Sequence, residues 1–174
     1  LEAIAAVQPD LILMSGGGYY QELYDQVSQI APTVGYAAWP EDSPRSYWKE
    51  YFISTATALG KEAEPQEVID AWQARVDEFK AAAAVDEKQV SVTRLMPDSI
   101  MTYQIGSYSG TVLEDAGVKQ TEGQEVVNFA ETIPMEELPK IDGDVLLLIQ
   151  SDPHAAIYNQ LLTSPLWQQL EAVQ

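Results

Sequence analysis

One arginine stands where its side chain could hold an anionic ligand. Arg94 ends the apolar run Val90-Ser91-Val92-Thr93, which has the composition of a buried β-strand. A guanidinium is planar and permanently charged, and its rigid set of N–H donors matches the paired oxygens of carboxylates and related groups. Arg94 is therefore a candidate ligand-binding residue, and a structural salt bridge is the alternative explanation.

Two tyrosines follow a glycine-rich segment near the start of the chain. Tyr19 and Tyr20 come after Ser15-Gly16-Gly17-Gly18, which follows a predicted strand from Leu11 to Met14. Glycine lets the backbone pass close to a ligand, and tyrosine offers a flat face with a hydroxyl group. The segment lacks the lysine and the spacing of a phosphate-binding Walker loop. The tyrosines are predicted ligand contacts, with a plain exposed loop as the alternative.

The remaining candidate ligand-binding residues lie after other predicted strands and are Trp39, Arg45, Tyr103, Ser107 and Tyr108. Trp39 and Arg45 occupy the loop after the second predicted strand, and Trp39 could equally belong to the core. The other three follow Arg94 and could form an opposing wall of the site. By contrast, Trp48, Trp72 and Trp167 lie at helical spacing with other apolar residues, which predicts core positions.

The composition argues against several classes of protein. None of the 174 residues is cysteine, which rules out a disulfide scaffold, a thiolate zinc site and a cysteine nucleophile. A formal net charge of -18 argues against nucleic acid and anionic membrane surfaces as partners, because both need clustered lysine and arginine. No apolar run approaches the roughly 20 residues of a membrane span. We expect a monomer that does not insert into a membrane.

The residue types give little support to an enzyme or a metal-ion site. His154 is the only histidine, and no G-x-S-x-G nucleophile elbow accompanies it. A site for a bare metal ion would need several His, Asp and Glu ligands. Acid–base catalysis by carboxylates, in an unrelated α/β enzyme, stays open as an alternative. We predict no catalytic residues, no metal ligands and no cofactor.

The elements that position these residues occur in two similar copies. Each copy reads as a short helix, a buried strand, a polar loop and a second helix, beginning at Leu1 and at Met135. The identical pairs are Glu2 and Glu136, Asp10 and Asp144, Leu13 and Leu147, Tyr24 and Tyr158, and Gln26 and Gln160. Copies so far apart predict two related α/β lobes rather than a solenoid, although any two helix–strand–helix units look somewhat alike. Ligands of open α/β sheets bind beyond the carboxyl ends of strands, which directs attention to the loops after Met14 and Ile149.

A long helix is predicted between the two copies. Pro65 suits the start of a helix, and apolar residues recur from Val68 to Phe79 at three- and four-residue spacing, so the helix is expected to reach about Ala84. This helix is the natural bridge between the lobes. The chain therefore divides into a partial N-terminal lobe (1–63), a bridging helix (64–86) and a partial C-terminal lobe (87–174).

The other elements follow from apolar runs and turn residues. In the first lobe they are helices from about Tyr20 to Ile30 and from Ser46 to Leu59, the latter closed by Gly60, and a strand from Thr33 to Ala37. In the second lobe they are strands from Gln89 to Leu95, Ile100 to Ile105 and Val145 to Ile149, a helix from Ser107 to Ala116, a loop from Thr121 to Gln124, an extended piece from Val126 to Phe129, and a last helix from Pro165.

A series of short segments carries a resemblance that covers nearly the whole chain. The segments are Leu1-Glu2-Ala3-Ile4-Ala5-Ala6 with Pro9-Asp10-Leu11-Ile12, Tyr24-Asp25 with Ile30-Ala31-Pro32-Thr33-Val34, Ala58-Leu59-Gly60-Lys61-Glu62, Val90-Ser91-Val92-Thr93-Arg94, Val112-Leu113-Glu114-Asp115-Ala116-Gly117-Val118, Glu136-Glu137-Leu138-Pro139, and Ser164-Pro165-Leu166-Trp167-Gln168. Their order and spacing resemble the substrate-binding proteins of ABC importers for iron-siderophores. The resemblance implies the class III periplasmic-binding-protein fold, in which two Rossmann-like α/β lobes are joined by one rigid helix. Members of that family have further elements at both ends, so both lobes are expected to be incomplete and the chain to be a fragment.

The resemblance also implies a function. Such a protein captures a ferric-siderophore in the cleft between its lobes and delivers it to an ABC permease, in the periplasm or otherwise outside the cytoplasm, free or lipid-anchored. The chelator already saturates the iron, so the site needs aromatic surface and a few cationic or hydroxyl donors rather than metal ligands. Members of the family contact the ligand with an arginine at the place of Arg94, where it would hold catecholate, hydroxamate or carboxylate oxygens, and the loop of Trp39 and Arg45 faces the cleft. Haem or cobalamin binding on the same scaffold is the alternative.

Glu2 and Glu136 begin the first helix of each copy. In the family, glutamates that resemble these two lie on the outer surface of each lobe and dock against arginines of the permease, which makes them predicted permease contacts. The alternative is an acidic residue favoured by the helix dipole, worth about 0.3–1 kcal/mol in a first turn. Asp10 and Asp144, which precede the strands, are predicted turn and cap residues.

Overall fold

Helices and strands alternate along the chain. The computed structural model describes residues 1–14, 21–35, 48–83, 85–150 and 156–174. The α-helices are α1 (Glu2–Ala6), α2 (Gln21–Val27), α3 (Trp48–Ala58), α4 (Glu64–Ala82), α5 (Tyr108–Asp115) and α6 (Ala156–Thr163). The strands are β1 (Ile12–Met14), β2 (Thr33–Gly35), β3 (Gln89–Leu95), β4 (Ile100–Tyr103), β5 (Lys119–Gln120), β6 (Ala130–Ile133) and β7 (Val145–Gln150). The described residues up to Trp72 form one compact unit, and those from Gln73 onward form a second.

The long helix between the two copies is continuous. α4 runs for 19 residues, with acidic residues in its first turn and Lys80 in its last, which is the distribution that the helix dipole favours. The division between the two compact units falls within it, after Trp72. The predicted helix is therefore observed, whereas lobe boundaries at residues 63 and 86 stay a prediction. None of the described helices, α4 included, is long and apolar enough to cross a membrane.

The first unit contains a parallel pair of strands. β1 pairs with β2 so that Met14 lies opposite Gly35, and the carboxyl ends of both strands therefore share one edge. Tyr24 on α2 donates its hydroxyl to the Thr33 carbonyl at 3.2 Å. A Cβ at Gly35 would lie 3.1 Å from the Tyr24 ring, so glycine lets α2 pack closely on β2. α2 ends at Val27 and a turn follows, which is earlier than the predicted end at Ile30.

The helices of the first unit confirm two expectations from the sequence. Gly60 follows α3 with φ of 70°, the left-handed conformation that commonly ends a helix at glycine. Trp48 on α3 meets Trp72 on α4 edge to face, with ring centroids 5.7 Å apart and planes at 88°. Both rings are half-buried, and this geometry is one that aromatic pairs prefer. The two tryptophans thus pack within the unit as predicted.

β3 is the central strand of the second unit. On one side it pairs along most of its length with β7, in parallel, from Val90↔Val145 to Leu95↔Gln150. On the other side it pairs first with β5, in parallel, and then with β4, antiparallel. β6 continues the sheet beyond β4, also antiparallel to it. Strands β3, β5, β6 and β7 consequently point the same way, and β4 points the opposite way.

One face of this sheet packs on the main core. Leu95, Ile100 and Ile133 extend from three neighbouring strands into that core. The other buried members of the cluster come from the segments that follow the sheet and are Leu138, Ile141, Ile157, Leu161 and Leu170. Trp167 packs against the cluster and is half-buried, in keeping with its predicted position.

The predicted strand β7 is observed, but its predicted burial holds for only one of its two faces. Its side chains alternate: Leu146 and Leu148 pack against the main core, whereas Val145, Leu147 and Ile149 are 43%, 49% and 43% exposed. Among the described residues β7 has only β3 as a neighbour, so it forms an edge of the sheet. An uninterrupted apolar sequence predicts that both faces of a strand are buried. The described part of the chain covers only one face of β7.

Three further predictions differ from the structure near the second copy. The short helix predicted at the start of the second copy is observed as a 3₁₀-helix, Met135–Ile141, which contains Pro139, a residue without the N–H that an α-helix requires. Val126 to Phe129, predicted as an extended piece, is a series of bends, and strand pairing begins only at Ala130, opposite Tyr103. The last predicted helix is two short 3₁₀-helices, Trp167–Gln169 and Glu171–Val173.

Asp144 connects the starts of β3 and β7. Its carboxylate accepts hydrogen bonds from Lys88 Nζ at 2.7 Å and from the Gln89 backbone N–H at 2.8 Å. The hydrogen bond from Lys88, followed by that from Gln89, lowers the pKa of the Asp144 carboxyl below its usual range. This role agrees with the predicted turn or cap position and fixes the register in which β7 joins β3.

Candidate ligand-binding site

Arg94 lies near the carboxyl end of the central strand. It is opposite Met101 of β4 on one side and Ile149 of β7 on the other. Because side chains alternate along a strand, Arg94 lies on the face of the sheet away from Leu95 and the main core. It is half-buried, and Ile149 beside it is partly exposed. The structure thus places Arg94, half-buried, on the face of β3 opposite the main core.

Tyr103 shares this face but lies farther along β4. It is two residues beyond Met101, so its side chain points to the same side of the sheet as Arg94. Because β4 is antiparallel to β3, the chain after Tyr103 continues toward the amino end of β3. The segment of Ser107 and Tyr108 therefore extends away from the carboxyl end of β3, where Arg94 lies. No local sequence pattern indicates the direction of β4.

Phe129 is a candidate site residue that the sequence analysis did not select. Its ring meets Tyr103 edge to face, with centroids 5.7 Å apart and planes at 90°. Backbone hydrogen bonds from Gln104 N–H to Phe129 O and from Gly106 N–H to Asn128 O hold the two segments together. Phe129, Val126 and Val127 are exposed. We refer to Tyr103, Phe129, Val126 and Val127 together as the apolar surface residues. The only sequence signal for Val126 to Phe129 was an apolar run predicted as an extended piece.

Ser107 and Tyr108 have different roles at the start of α5. The Ser107 hydroxyl is buried, donates to the Gln104 carbonyl at 2.7 Å and accepts from the Gly110 N–H at 2.9 Å, so it caps the helix. A Cβ at position 110 would overlap the Gln104 carbonyl, which explains the glycine there. Tyr108 is 59% exposed. A ligand contact by Ser107 stays a prediction, and in this conformation Ser107 supports the position of Tyr108.

The other candidate ligand-binding residues, Tyr19, Tyr20, Trp39 and Arg45, lie outside the described residues, as does His154. The strands that precede these residues in the sequence are described. Tyr19 and Tyr20 follow Met14, Trp39 and Arg45 follow Gly35, and these two strand ends are paired in register. Both strands therefore end at the same edge of the sheet, which is the carboxyl edge where α/β sheets bind ligands.

Glu2 and Glu136 occupy comparable positions in the two units. Glu2 is in the first turn of α1, and Glu136 is in the first turn of the 3₁₀-helix Met135–Ile141. Both side chains are exposed. The structure thus keeps both carboxylates accessible to a partner. Across residues 1–14, 21–35, 48–83, 85–150 and 156–174, no group of three or more His, Asp or Glu residues could hold a metal ion.

Comparison with known proteins identifies the family. A family profile described as "Periplasmic binding protein" matches residues 1–174. The chain belongs to the periplasmic binding protein family. This is a transport family of substrate-binding proteins and not a family of enzymes, as the sequence analysis predicted.

Relatives and solved structures agree with this assignment. A probable siderophore-binding lipoprotein of Bacillus subtilis, YfiY, is 32% identical over 99% of this chain and 55% of its own length. The structure of the siderophore-binding protein FhuD from Vibrio cholerae with Fe3+–Desferal matches with 27% identity and a TM-score of 0.79, covering 100% of this chain and 66% of that one. Staphylococcus aureus SirA with staphyloferrin B matches with 26% identity and a TM-score of 0.77, covering 99% and 62%.

The predicted fold class, an α/β periplasmic binding protein of class III, is therefore confirmed. The chain spans little more than half the length of the curated relative and under two thirds of the SirA chain. Within the second unit, Arg94 is half-buried, and Phe129, Val126 and Val127 are exposed.

Proposed function

We propose that the protein captures a ferric-siderophore or a similar iron chelate outside the cytoplasm and delivers it to the permease of an ABC importer. The observation that carries this proposal is the match of the whole chain to siderophore-binding proteins, at TM-scores of 0.77 and 0.79 for two structures that contain a siderophore or iron chelate. The protein would act as a monomer, in the periplasm or attached to the membrane by a lipid, as in the relative that is named a lipoprotein. Equilibrium sedimentation checks the oligomeric state.

The residue chemistry supports an iron chelate as the ligand. A siderophore supplies all the oxygens that iron needs, so the protein has to recognise the organic shell and its negative charge. Arg94 can donate two parallel hydrogen bonds to chelator oxygens, while Tyr103, Phe129 and Tyr108 offer aromatic faces. We include Tyr19, Tyr20, Trp39 and Arg45 in the proposed site because they follow β1 and β2 in the sequence, and the carboxyl ends of these two strands lie at the same edge.

We expect the protein to bind at least one ferric chelate in a screen of ferric desferrioxamine, ferric staphyloferrin B and ferric bacillibactin. Tryptophan and tyrosine fluorescence should fall on binding, because coloured iron complexes close to these side chains quench their emission. Titration of the emission gives the dissociation constant. Haem and cobalamin are tested in parallel, and binding of one of these with no response to any ferric chelate would assign the scaffold to a different ligand.

Glu2 and Glu136 are proposed to dock on the permease. Their similar helix-start positions in the two units suit a partner with two related binding sites. Replacing both by alanine should leave chelate affinity unchanged and reduce chelate uptake by cells that carry the importer. Glu22, an exposed glutamate in the first turn of α2, gives a matched control in Glu22→Ala. Normal uptake with the double variant would remove both residues from the docking surface.

A further inference from the structure

The pairing of β3 is interrupted on the side of β4 and β5. β5 pairs with Gln89 and Val90, and β4 pairs with Thr93, Arg94 and Leu95. Ser91 and Val92 face no strand on this side within the described residues, although β7 pairs with both on the other side. A buried backbone carbonyl in such a gap needs another hydrogen-bond donor. The gap lies directly before Arg94, so whatever closes it acts on the backbone that carries the guanidinium.

The side chain of Gln124 closes this gap. Its amide nitrogen donates to the Val92 carbonyl at 2.8 Å and also to the Thr102 hydroxyl of β4. Its amide oxygen accepts from the Thr121 hydroxyl at 3.2 Å. One amide group thus joins β3 to β4 immediately before the Arg94–Met101 pair. Gln124 is 0% exposed, so none of these hydrogen bonds is in competition with water.

The turn that carries Gln124 is itself firmly held. The Gln124 backbone N–H donates to the Thr121 carbonyl at 2.7 Å within the 3₁₀-helix Glu122–Gln124. A Cβ on the neighbouring Gly123 would lie only 2.7 Å from the Lys140 carbonyl oxygen. The turn therefore packs so closely against the Lys140 backbone that no side chain fits at position 123. The amide of Gln124 is therefore presented to β3 and β4 in one position, because its own backbone is fixed from both sides.

We propose that Gln124 is a positioning residue for Arg94. It replaces the missing strand at Val92, holds β4 against β3 through Thr102, and so fixes the direction in which the Arg94 guanidinium leaves the sheet. This inference rests on the proposed function in that Arg94 contacts the chelate. Gln124 itself is fully buried and does not touch the ligand. Its effect on binding passes through the backbone of β3 and β4.

A double-mutant cycle tests the proposal with the ferric chelate that binds the protein. Gln124→Met keeps the length of the side chain and removes both donors, so the affinity should fall roughly tenfold. In a protein that already carries Arg94→Ala, the same change should alter the affinity less than about twofold, because the group that Gln124 positions is gone. Equal losses in the two backgrounds, or no loss in either, would overturn the proposal.

A core variant separates positioning from general destabilisation. Ile157→Val removes one methylene group from the main core on α6 and removes none of the hydrogen bonds of Gln124. Its affinity, corrected for the folded fraction, should equal that of the unchanged protein. If Ile157→Val weakens binding as much as Gln124→Met does, the effect of Gln124 is one of stability and the proposal fails.

Backbone hydrogen exchange, measured without ligand, tests the positioning role of Gln124 separately from the proposed function. The backbone amides of Arg94 and Met101 should exchange at least about tenfold faster in Gln124→Met and should be unchanged in Ile157→Val. Unchanged exchange in Gln124→Met overturns the positioning role even if a chelate binds. Absence of binding by every ferric chelate overturns the proposed function, and exchange then still decides whether Gln124 fixes the strand that carries Arg94.

Discussion

Replacing Leu138 by alanine is expected to lower the free energy of unfolding by about 2–5 kcal/mol. Leu138 is 0% exposed and lies in the main core, with Leu95 and Ile100 of the sheet among the members of that cluster. Its removal would leave a cavity that the surrounding side chains can fill only in part. Urea unfolding of the protein, followed by circular dichroism, measures the change.

Leu162→Ala is the matched control for this substitution. Leu162 is the residue after the buried Leu161 on α6, yet it is 41% exposed. The same change of residue type there should alter stability by no more than about 0.5 kcal/mol. Similar losses for Leu138→Ala and Leu162→Ala would mean that burial in the main core does not set the cost, and would contradict the packing described for the second unit.

Replacing Arg94 by alanine is expected to weaken chelate binding by about 1.5–3 kcal/mol, the range for hydrogen bonds to charged groups. The thermal midpoint should stay nearly constant, because Arg94 lies on the sheet face away from the main core. Arg94→Lys should recover only part of the affinity, since an ammonium group cannot form the paired hydrogen bonds of a guanidinium. Fluorescence titration and thermal unfolding of the same variants provide both quantities.

Arg75→Ala provides the charge-matched control for Arg94. Arg75 is exposed on α4, so its loss changes the net charge by the same amount without removing a site residue. Equal affinity losses in the two variants would indicate a general electrostatic effect. A lower thermal midpoint for Arg94→Ala, with unchanged affinity of the folded protein, would assign Arg94 to a structural salt bridge and remove it from the site.

The elements with the clearest local signals were predicted best. β3 has the predicted limits, Gln89 to Leu95, and α4 runs as a continuous helix over almost the predicted range. Each has a strong local pattern, periodic in α4 and β-branched in β3, and the tertiary contacts of the folded chain agree with it. The helix of the second copy was predicted from its likeness to the first, and Pro139 makes it a 3₁₀-helix instead. The helix itself was predicted, and Pro139, visible in the sequence, accounts for its 3₁₀ type.

The candidate site was harder to predict because it depends on strand direction and pairing. Arg94 could be selected from its residue type and its place at the end of an apolar run. The antiparallel direction of β4, which takes Ser107 and Tyr108 away from the carboxyl end of β3, could not. Gln124 was part of a predicted loop, and nothing in the sequence indicates that its amide joins two strands. Long-range hydrogen bonds of this kind have no local signature.

β3 is synthesised well before β7, although the two are neighbours in the sheet. The hydrogen bond between Gln89 and Asp144 joins residues 55 positions apart, and at about 5–20 residues per second a ribosome needs roughly 3–11 s to make that length. During this interval the Val-rich central strand has no partner on its β7 side. The high contact order of this pairing favours slow folding and leaves β3 open to chaperones that bind extended apolar segments of a nascent chain.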